Sequence, residues 1–200
     1  MRIVQMLPVL SYGDAIGNDV IAIDRMLRSN GYETDIYAMI IDRRLLESGV
    51  KNIRDYVDSH NTLILYHLST GEKMNDMVRE FSAHLVVIYH NVTPGVFFKS
   101  FDVGTMTRCD RGLRSVKKLA EYAEYAIADS AFNKQDLINM GYDCPIEVVP
   151  ILIAFDDYKA APAASVIERY GNDGYVNILF TGRVAPNKKH EDLIDRKSVV

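Results

Sequence analysis

Three observations predict an α/β fold built on a doubly wound parallel sheet. From Arg2 to Val149, short apolar runs alternate with segments of helical period, which is the pattern of βαβ units. The runs are apolar throughout instead of alternating with polar residues, as strands buried on both faces must be. Their carboxyl ends lead into glycine-containing or polar stretches: Gly13 and Gly17, His67 to Gly71, His90-Asn91 and Asp129-Ser130. In an open parallel sheet those ends share one crevice, where ligands bind.

In order, Arg2 to Leu7 reads as the first strand and Pro8 to Gly17 as a loop. Ile16, Val20, Ile23 and Leu27 recur at helical spacing, and Gly31 closes that helix. Thr34 to Met39 is a second strand, and residues 43 to 59 form a helical or irregular crossover. Thr62 to Tyr66 is a third strand, followed by a helix from about Glu72 to Phe81. Leu85 to Tyr89 is a fourth strand, and Thr107 to Tyr122 a long helix. Tyr125 to Ala128 is a fifth strand, Lys134 to Met140 a helix capped by Gly141, and Ile146 to Val149 a sixth strand ended by Pro150.

Composition narrows the function classes. The chain has 200 residues, 48% hydrophobic and 25% charged, enough apolar material for a core and too little charge for a disordered chain. A net charge of -4 argues against general nucleic-acid binding. Cys109 and Cys144 stand far apart with no metal-ligand spacing, and two isolated cysteines fit a reducing cytoplasm. The apolar start, Ile3 to Leu7, is short and interrupted by Gln5 and Pro8, so it reads as a buried strand and not as a signal peptide. No run approaches the length of a membrane span.

The expected organisation is a first domain over residues 1–154, a linker over 155–175 that holds the run Ala160-Ala161-Pro162-Ala163-Ala164, and the start of a second domain over 176–200. That last portion holds about one βα unit, which cannot bury a core by itself, so the chain reads as a truncated form of a longer protein. Ile178 to Phe180 reads as a buried strand, Gly182 as a sharp turn, and Asn187 as the N-cap of a helix that presents Leu193 and Ile194. Arg183 and Lys188 flank the turn, where two cations suit a phosphate or pyrophosphate; solvated basic residues of an ordinary βα unit are the alternative.

The other candidate positions also have two readings each. Ser11 to Asp19 lacks the Gly-x-Gly-x-x-Gly fingerprint, and no ribose carboxylate follows the second strand, which argues against a dinucleotide-dependent dehydrogenase. Gly13, Asp14, Gly17 and Asn18 either make a tight strand-to-helix turn or let backbone approach an anion or sugar. His67 and His90 follow strands and are read first as structural histidines, second as cleft groups together with Asn91. Ser130 is read as the N-cap of the next helix. Arg111, Arg114 and Lys118 share one helical face, which is either solvated or fitted to an anionic membrane surface or phosphate-bearing lipid.

Several of these stretches resemble the family-4 retaining glycosyltransferases, two-domain GT-B enzymes that move a sugar from a nucleotide donor. Gly182-Arg183 followed by Lys188 matches the Gly-Arg-x-x-x-x-Lys-Gly signature that opens their second domain, with Lys189 where the family usually has Gly. Gly13-Asp14-Ala15-Ile16-Gly17-Asn18 and His90-Asn91-Val92-Thr93-Pro94 resemble cleft segments of a bacterial subset. Asp129-Ser130 matches a strand-end Ser, and Val149-Pro150-Ile151-Leu152-Ile153 the entry to the interdomain link. The resemblance implies the first half of a GT-B fold with a truncated second domain. It also implies transfer from a nucleotide diphosphate sugar to a glycan or lipid-linked acceptor, with no cofactor and no required metal. Arg183 and Lys188 would neutralise the donor diphosphate, the loop from Gly13 to Asn18 would face donor and acceptor, and His90 would contact the transferred sugar as the catalytic residue. His67, Asn91 and Ser130 would complete the cleft. A Glu-x₇-Glu stretch that holds the donor in that family is absent and would lie beyond residue 200. The expected location is the cytoplasm, with peripheral contact at the inner face of the membrane. The competing class is a non-catalytic Rossmann-like module that binds a nucleotide, a sugar or a partner protein.

Overall fold

The structure is a computed structural model and describes residues 2–153, 155, 159–171 and 174–195. The chain divides into two compact units, residues 1–152 and 153–200.

The first unit is α/β. Seven strands form one all-parallel sheet: β1 (Arg2–Leu10), β2 (Thr34–Ile41), β3 (Lys51–Asn52), β4 (Thr62–Leu68), β5 (His84–Tyr89), β6 (Tyr125–Ala128) and β7 (Ile146–Val148). Their order is β3-β2-β1-β4-β5-β6-β7. The order reverses between β1 and β4, so the switch point of this Rossmann-like, doubly wound fold lies beyond the carboxyl ends of those two strands. Helix α1 (Ala15–Ser29) packs Val20 on one face with Leu7, Leu10, Ile36, Ala38 and Leu45. Helices α2 (Met74–Met77), α3 (Val103–Leu119) and α4 (Ala131–Asn139) pack on the other, where Met74, Val116, Leu119 and Leu137 meet Val4, Met6, Ile64, Tyr66, Val87 and Tyr89.

Several expected boundaries move, each for a visible reason. β1 runs on through Pro8 to Leu10, because beyond Met6 it is paired with β2 alone, and a strand with one unpaired edge accepts a residue without an N–H. The helix expected from Glu72 to Phe81 shrinks to α2. The buried Asn75 accepts from the Tyr66 hydroxyl and donates to the Thr70 carbonyl at 2.7 Å, which ties the segment to β4. Further on, Phe81 packs 4.9 Å from the Tyr56 ring, and the Ser82 N–H donates to Asp58 at 2.7 Å. The long helix starts earlier than expected because Asp102 caps it, accepting from the N–H groups of Gly104 and Thr105 at 2.8 and 3.1 Å. The crossover contains two 3₁₀ turns, Arg43–Ser48 and Ile53–Asp55, around the two-residue edge strand β3.

The second unit departs further. Ile178, Leu179 and Phe180 form no strand; Ile178 and Leu179 are 87% and 86% exposed. Among the described residues no neighbouring strand pairs with them, and a strand without a ladder partner does not form. Asn187 is not an N-cap, since it lies in a 3₁₀ turn, Pro186–Lys188, ahead of helix α6 (His190–Asp195). Leu193 and Ile194 are exposed. Helix α5 (Ala164–Tyr170) falls inside the stretch expected as a linker. The last expected residues, 196–200, lie outside the described residues. No described helix is long and apolar enough to cross a membrane.

Candidate functional site

The carboxyl ends of β1, β4, β5 and β6 carry the candidate residues of the first unit. After β1, Gly13 turns the chain with a φ of 76°, in the left-handed region that favours glycine. Asp14 caps α1 by accepting from the Gly17 N–H at 2.6 Å. Gly17 is buried, and a Cβ there would stand 2.6 Å from the Ser11 carbonyl oxygen, so a larger residue would push the helix off the strand. Asn18 faces solvent. The structure therefore gives Gly13, Asp14 and Gly17 clear turn-and-cap roles. Ser130 caps α4 through the Asn133 N–H at 3.2 Å.

His67 and His90 end up together. Along β4, Leu63, Leu65 and His67 share one face of the sheet; two positions past Ile88, the strand partner of His67, comes His90. His67 is wholly buried, and its Nδ1 stands 2.8 Å from His90 Nε2 with the rings stacked nearly parallel. Its Nε2 is 3.0 Å from Gln5 Oε1, and the Gln5 amide donates to the Val20 carbonyl of α1 at 2.9 Å. On the far side, His90 Nδ1 is 2.9 Å from Asp129 Oδ2. Asp19, on the buried side of α1, accepts from the Leu152 N–H at 2.8 Å and so fastens the segment leaving β7.

These partners fix the protons. The Gln5 amide N–H₂ is committed to Val20, so its Oε1 accepts and His67 donates from Nε2. Burial, with the neighbouring His90 adding to it, holds His67 well below the usual histidine range, so His67 is neutral and Nδ1 is bare. His90 must then donate from Nε2 to His67. Its other nitrogen, Nδ1, faces the Asp129 carboxylate. The result is an unbroken hydrogen-bonded chain, Asp129–His90–His67–Gln5–Val20. Burial raises the Asp19 carboxyl above the usual carboxylate value, and Asp129 pushes the same way; the Leu152 N–H and His90 oppose the shift.

The His90 ring is enclosed, its side chain 1% exposed against 15% for Asp129. A ligand would reach its nitrogens only if one of the two hydrogen bonds opened. Asn91, beside it, is exposed and holds a φ of 68°, an uncommon conformation for a residue other than glycine.

Sequence reasoning missed Gln5 and Asp19, and gave Asp129 no chemical part. The available signal for Gln5 was a single amide inside the apolar run Ile3 to Leu7. Nothing in the spacing of residues 5, 19, 67, 90 and 129 announces that the sheet will gather them. Arg183 and Lys188 are both exposed within the second unit. Lys189 holds a φ of 54° there. No family model and no curated protein matches this chain.

Proposed function

We propose that this chain is the acceptor-side part, with the opening of the donor domain, of a retaining glycosyltransferase of the GT-B type. The transfer runs from a nucleotide diphosphate sugar to a glycan or lipid-linked acceptor. The observation that carries the reading is the gathering of the resembling segments in the first unit. The loop from Gly13 to Asn18, the His90-Asn91 turn and the Asp129-Ser130 strand end all stand at carboxyl ends of β1, β5 and β6, with His67 at the end of β4 between them. That is where an open parallel sheet binds ligands. A second support comes from Lys189, whose positive φ occupies the position where the resembled signature has Gly, the residue that adopts it freely.

In this reading the first unit holds the acceptor hydroxyl. Departure of the diphosphate builds negative charge, which Arg183 and Lys188 neutralise; the demand grows toward the transition state, so it lowers the barrier as well as tightening binding. Exposed Val96, Phe97, Phe101 and Val103, near the amino end of a helix whose Arg111, Arg114 and Lys118 are also exposed, favour a peripheral contact with an anionic membrane.

The test is steady-state kinetics with a panel of nucleotide diphosphate sugars, on this chain extended to include the Glu-x₇-Glu segment. Arg183→Ala and Lys188→Ala should each lower kcat/KM by about ten- to a hundredfold, since a charge-assisted hydrogen bond contributes roughly 1.5–3 kcal/mol. Lys189→Gly should leave turnover near the parent. Folded variants with parent-like kinetics would make the two cations surface charges. Donor binding without any turnover would favour the non-catalytic binding module.

A further inference from the structure

We infer that Asp19, His67 and His90 form a binding site for a divalent cation of the zinc type. One ligand atom from each of the three lies within 4.8 Å of the others, and all three side chains are withdrawn from solvent. The inference is independent of the transferase reading, which calls for no metal.

The outer contacts of the two histidines are the main reason. A metal-bound histidine almost always gives its other ring N–H to a fixed oxygen acceptor, which sets the tautomer and aims the free nitrogen. Both histidines meet that condition. The outer nitrogen of His67 faces Gln5 Oε1, and that of His90 faces the Asp129 carboxylate. The inner nitrogens, His67 Nδ1 and His90 Nε2, are thereby aimed at one another at 2.8 Å. Gln5 is itself locked by Val20, and Asp129 sits at the end of β6, so both supports stand on the sheet.

Size and charge also fit. Zinc–nitrogen bonds of about 2.0–2.1 Å at a tetrahedral angle separate two ligand nitrogens by roughly 3.3 Å, so the rings need part by only about 0.5 Å. Asp19 supplies the third, anionic ligand through a carboxylate that α1 already holds inside the fold. Asp19 and Asp129 stand on either side of the histidine pair, so a cation held between the rings has an acidic side chain on each side. Two imidazoles and one carboxylate suit zinc and the neighbouring late first-row metals over magnesium or calcium, which prefer all-oxygen sites.

Occupancy has a consequence for the proposed reaction. An ion at this point takes the ring nitrogen of His90, so a sugar and the ion cannot both engage that nitrogen. Zinc would then act as an inhibitor and not as a cofactor.

The experiment titrates the metal-free chain with Zn²⁺ by calorimetry and with Co²⁺ by its visible d–d absorption. The expected result is one equivalent bound per chain, with a Co²⁺ spectrum of nitrogen–oxygen coordination that Zn²⁺ bleaches. Asp19→Asn and His67→Gln should weaken binding by tenfold or more, and Asp129→Asn by about ten- to a hundredfold through loss of the supporting carboxylate. The variant His60→Gln/His84→Gln/His190→Gln, which removes the remaining histidines, should bind like the parent. The inference is overturned if no ion binds, if the triple variant abolishes binding, or if Asp19→Asn and His67→Gln bind as the parent does. Should a buried variant fail to fold, the imidazole resonances of the parent decide. Zn²⁺ must move those of His67 and His90; movement confined to His60, His84 and His190 overturns the inference.

Discussion

The hydrogen bond between His67 and Gln5 has a thermodynamic signature that single substitutions cannot mimic. Both residues are wholly buried, and each is the other's partner at 3.0 Å. Gln5→Leu leaves the His67 Nε2–H without an acceptor; the Val20 carbonyl keeps its partner within α1. One unsatisfied buried donor costs about 1–3 kcal/mol. His67→Leu orphans two groups, Gln5 Oε1 and the inner N–H of His90, and should cost about 2–6 kcal/mol by the same measure. In Gln5→Leu/His67→Leu only the His90 N–H is left, so the double variant should recover about 1–3 kcal/mol relative to His67→Leu alone. Against a total stability of about 5–15 kcal/mol these are large effects, resolvable by urea unfolding followed by circular dichroism. Additive single costs, with the double variant below His67→Leu by the whole cost of Gln5→Leu, would show that the two side chains are not bonded in solution. The assigned protons would then be wrong as well.

Other outcomes follow from single contacts. Gly71→Ala should destabilise by about 1–3 kcal/mol or more, because its Cβ would lie 2.2 Å from the Arg108 carbonyl oxygen and 2.4 Å from the Gly112 nitrogen, both backbone atoms; an unchanged melting temperature would contradict that approach. Ser130→Ala should cost about 1 kcal/mol as a lost helix cap, and Ser130→Asp should restore it; a loss of activity with stability intact would instead make Ser130 a ligand contact. For Asp35, burial raises the carboxyl but bonds from Lys51 and Arg2 outweigh it, and the net shift is below the ordinary 3.8. The unfolded chain therefore binds this proton first, so the contribution is present above 3.8 and lost as pH falls below it. Asp35→Asn should flatten stability against pH in that window, measured by urea unfolding in acid. The basic face of α3 predicts salt-sensitive binding to anionic vesicles, and equal sedimentation with neutral ones would remove the membrane contact.

The legible part of the fold was the part set by local pattern. β6 appears at its expected bounds, and the parallel sheet follows from apolar runs too continuous to have a solvent face. The helix after β4 was misread because the pattern of residues 72 to 81 shows apolar period but not the Asn75 contacts that hold only one turn in helical form. Ile178 to Phe180 was misread for the opposite reason. The run has strand composition, but composition supplies no hydrogen-bonding neighbour. In the site, the strand ends could be named from sequence because each closes an apolar run. Gln5 and Asp19 could not, since a lone amide in a strand and a lone carboxylate in a helix acquire meaning only when the register and α1 bring them beside His67.

That gathering bears on whether the site is there for stability. One face of β1 and β4 holds Val4, Met6, Ile64, Tyr66 and Leu68, all apolar apart from the Tyr66 hydroxyl, and the fold needs nothing else from it. The face under α1 instead buries Gln5, His67 and Asp19, with His90 and Asp129 behind them. Every polar group placed there must be desolvated and then matched, and a net hydrogen bond returns only about 1 kcal/mol. Apolar residues of similar volume do as well or better at holding a sheet to a helix. Packing therefore gives no reason to prefer five polar side chains over a continuation of Leu7 and Val20. What the polar set provides is a fixed array of donors and acceptors at the switch point of the sheet, with its protons in defined places. That is the requirement of a site that orients a ligand or an ion, and it is the physical reason to look for function at Asp19, His67, His90 and Asp129 first.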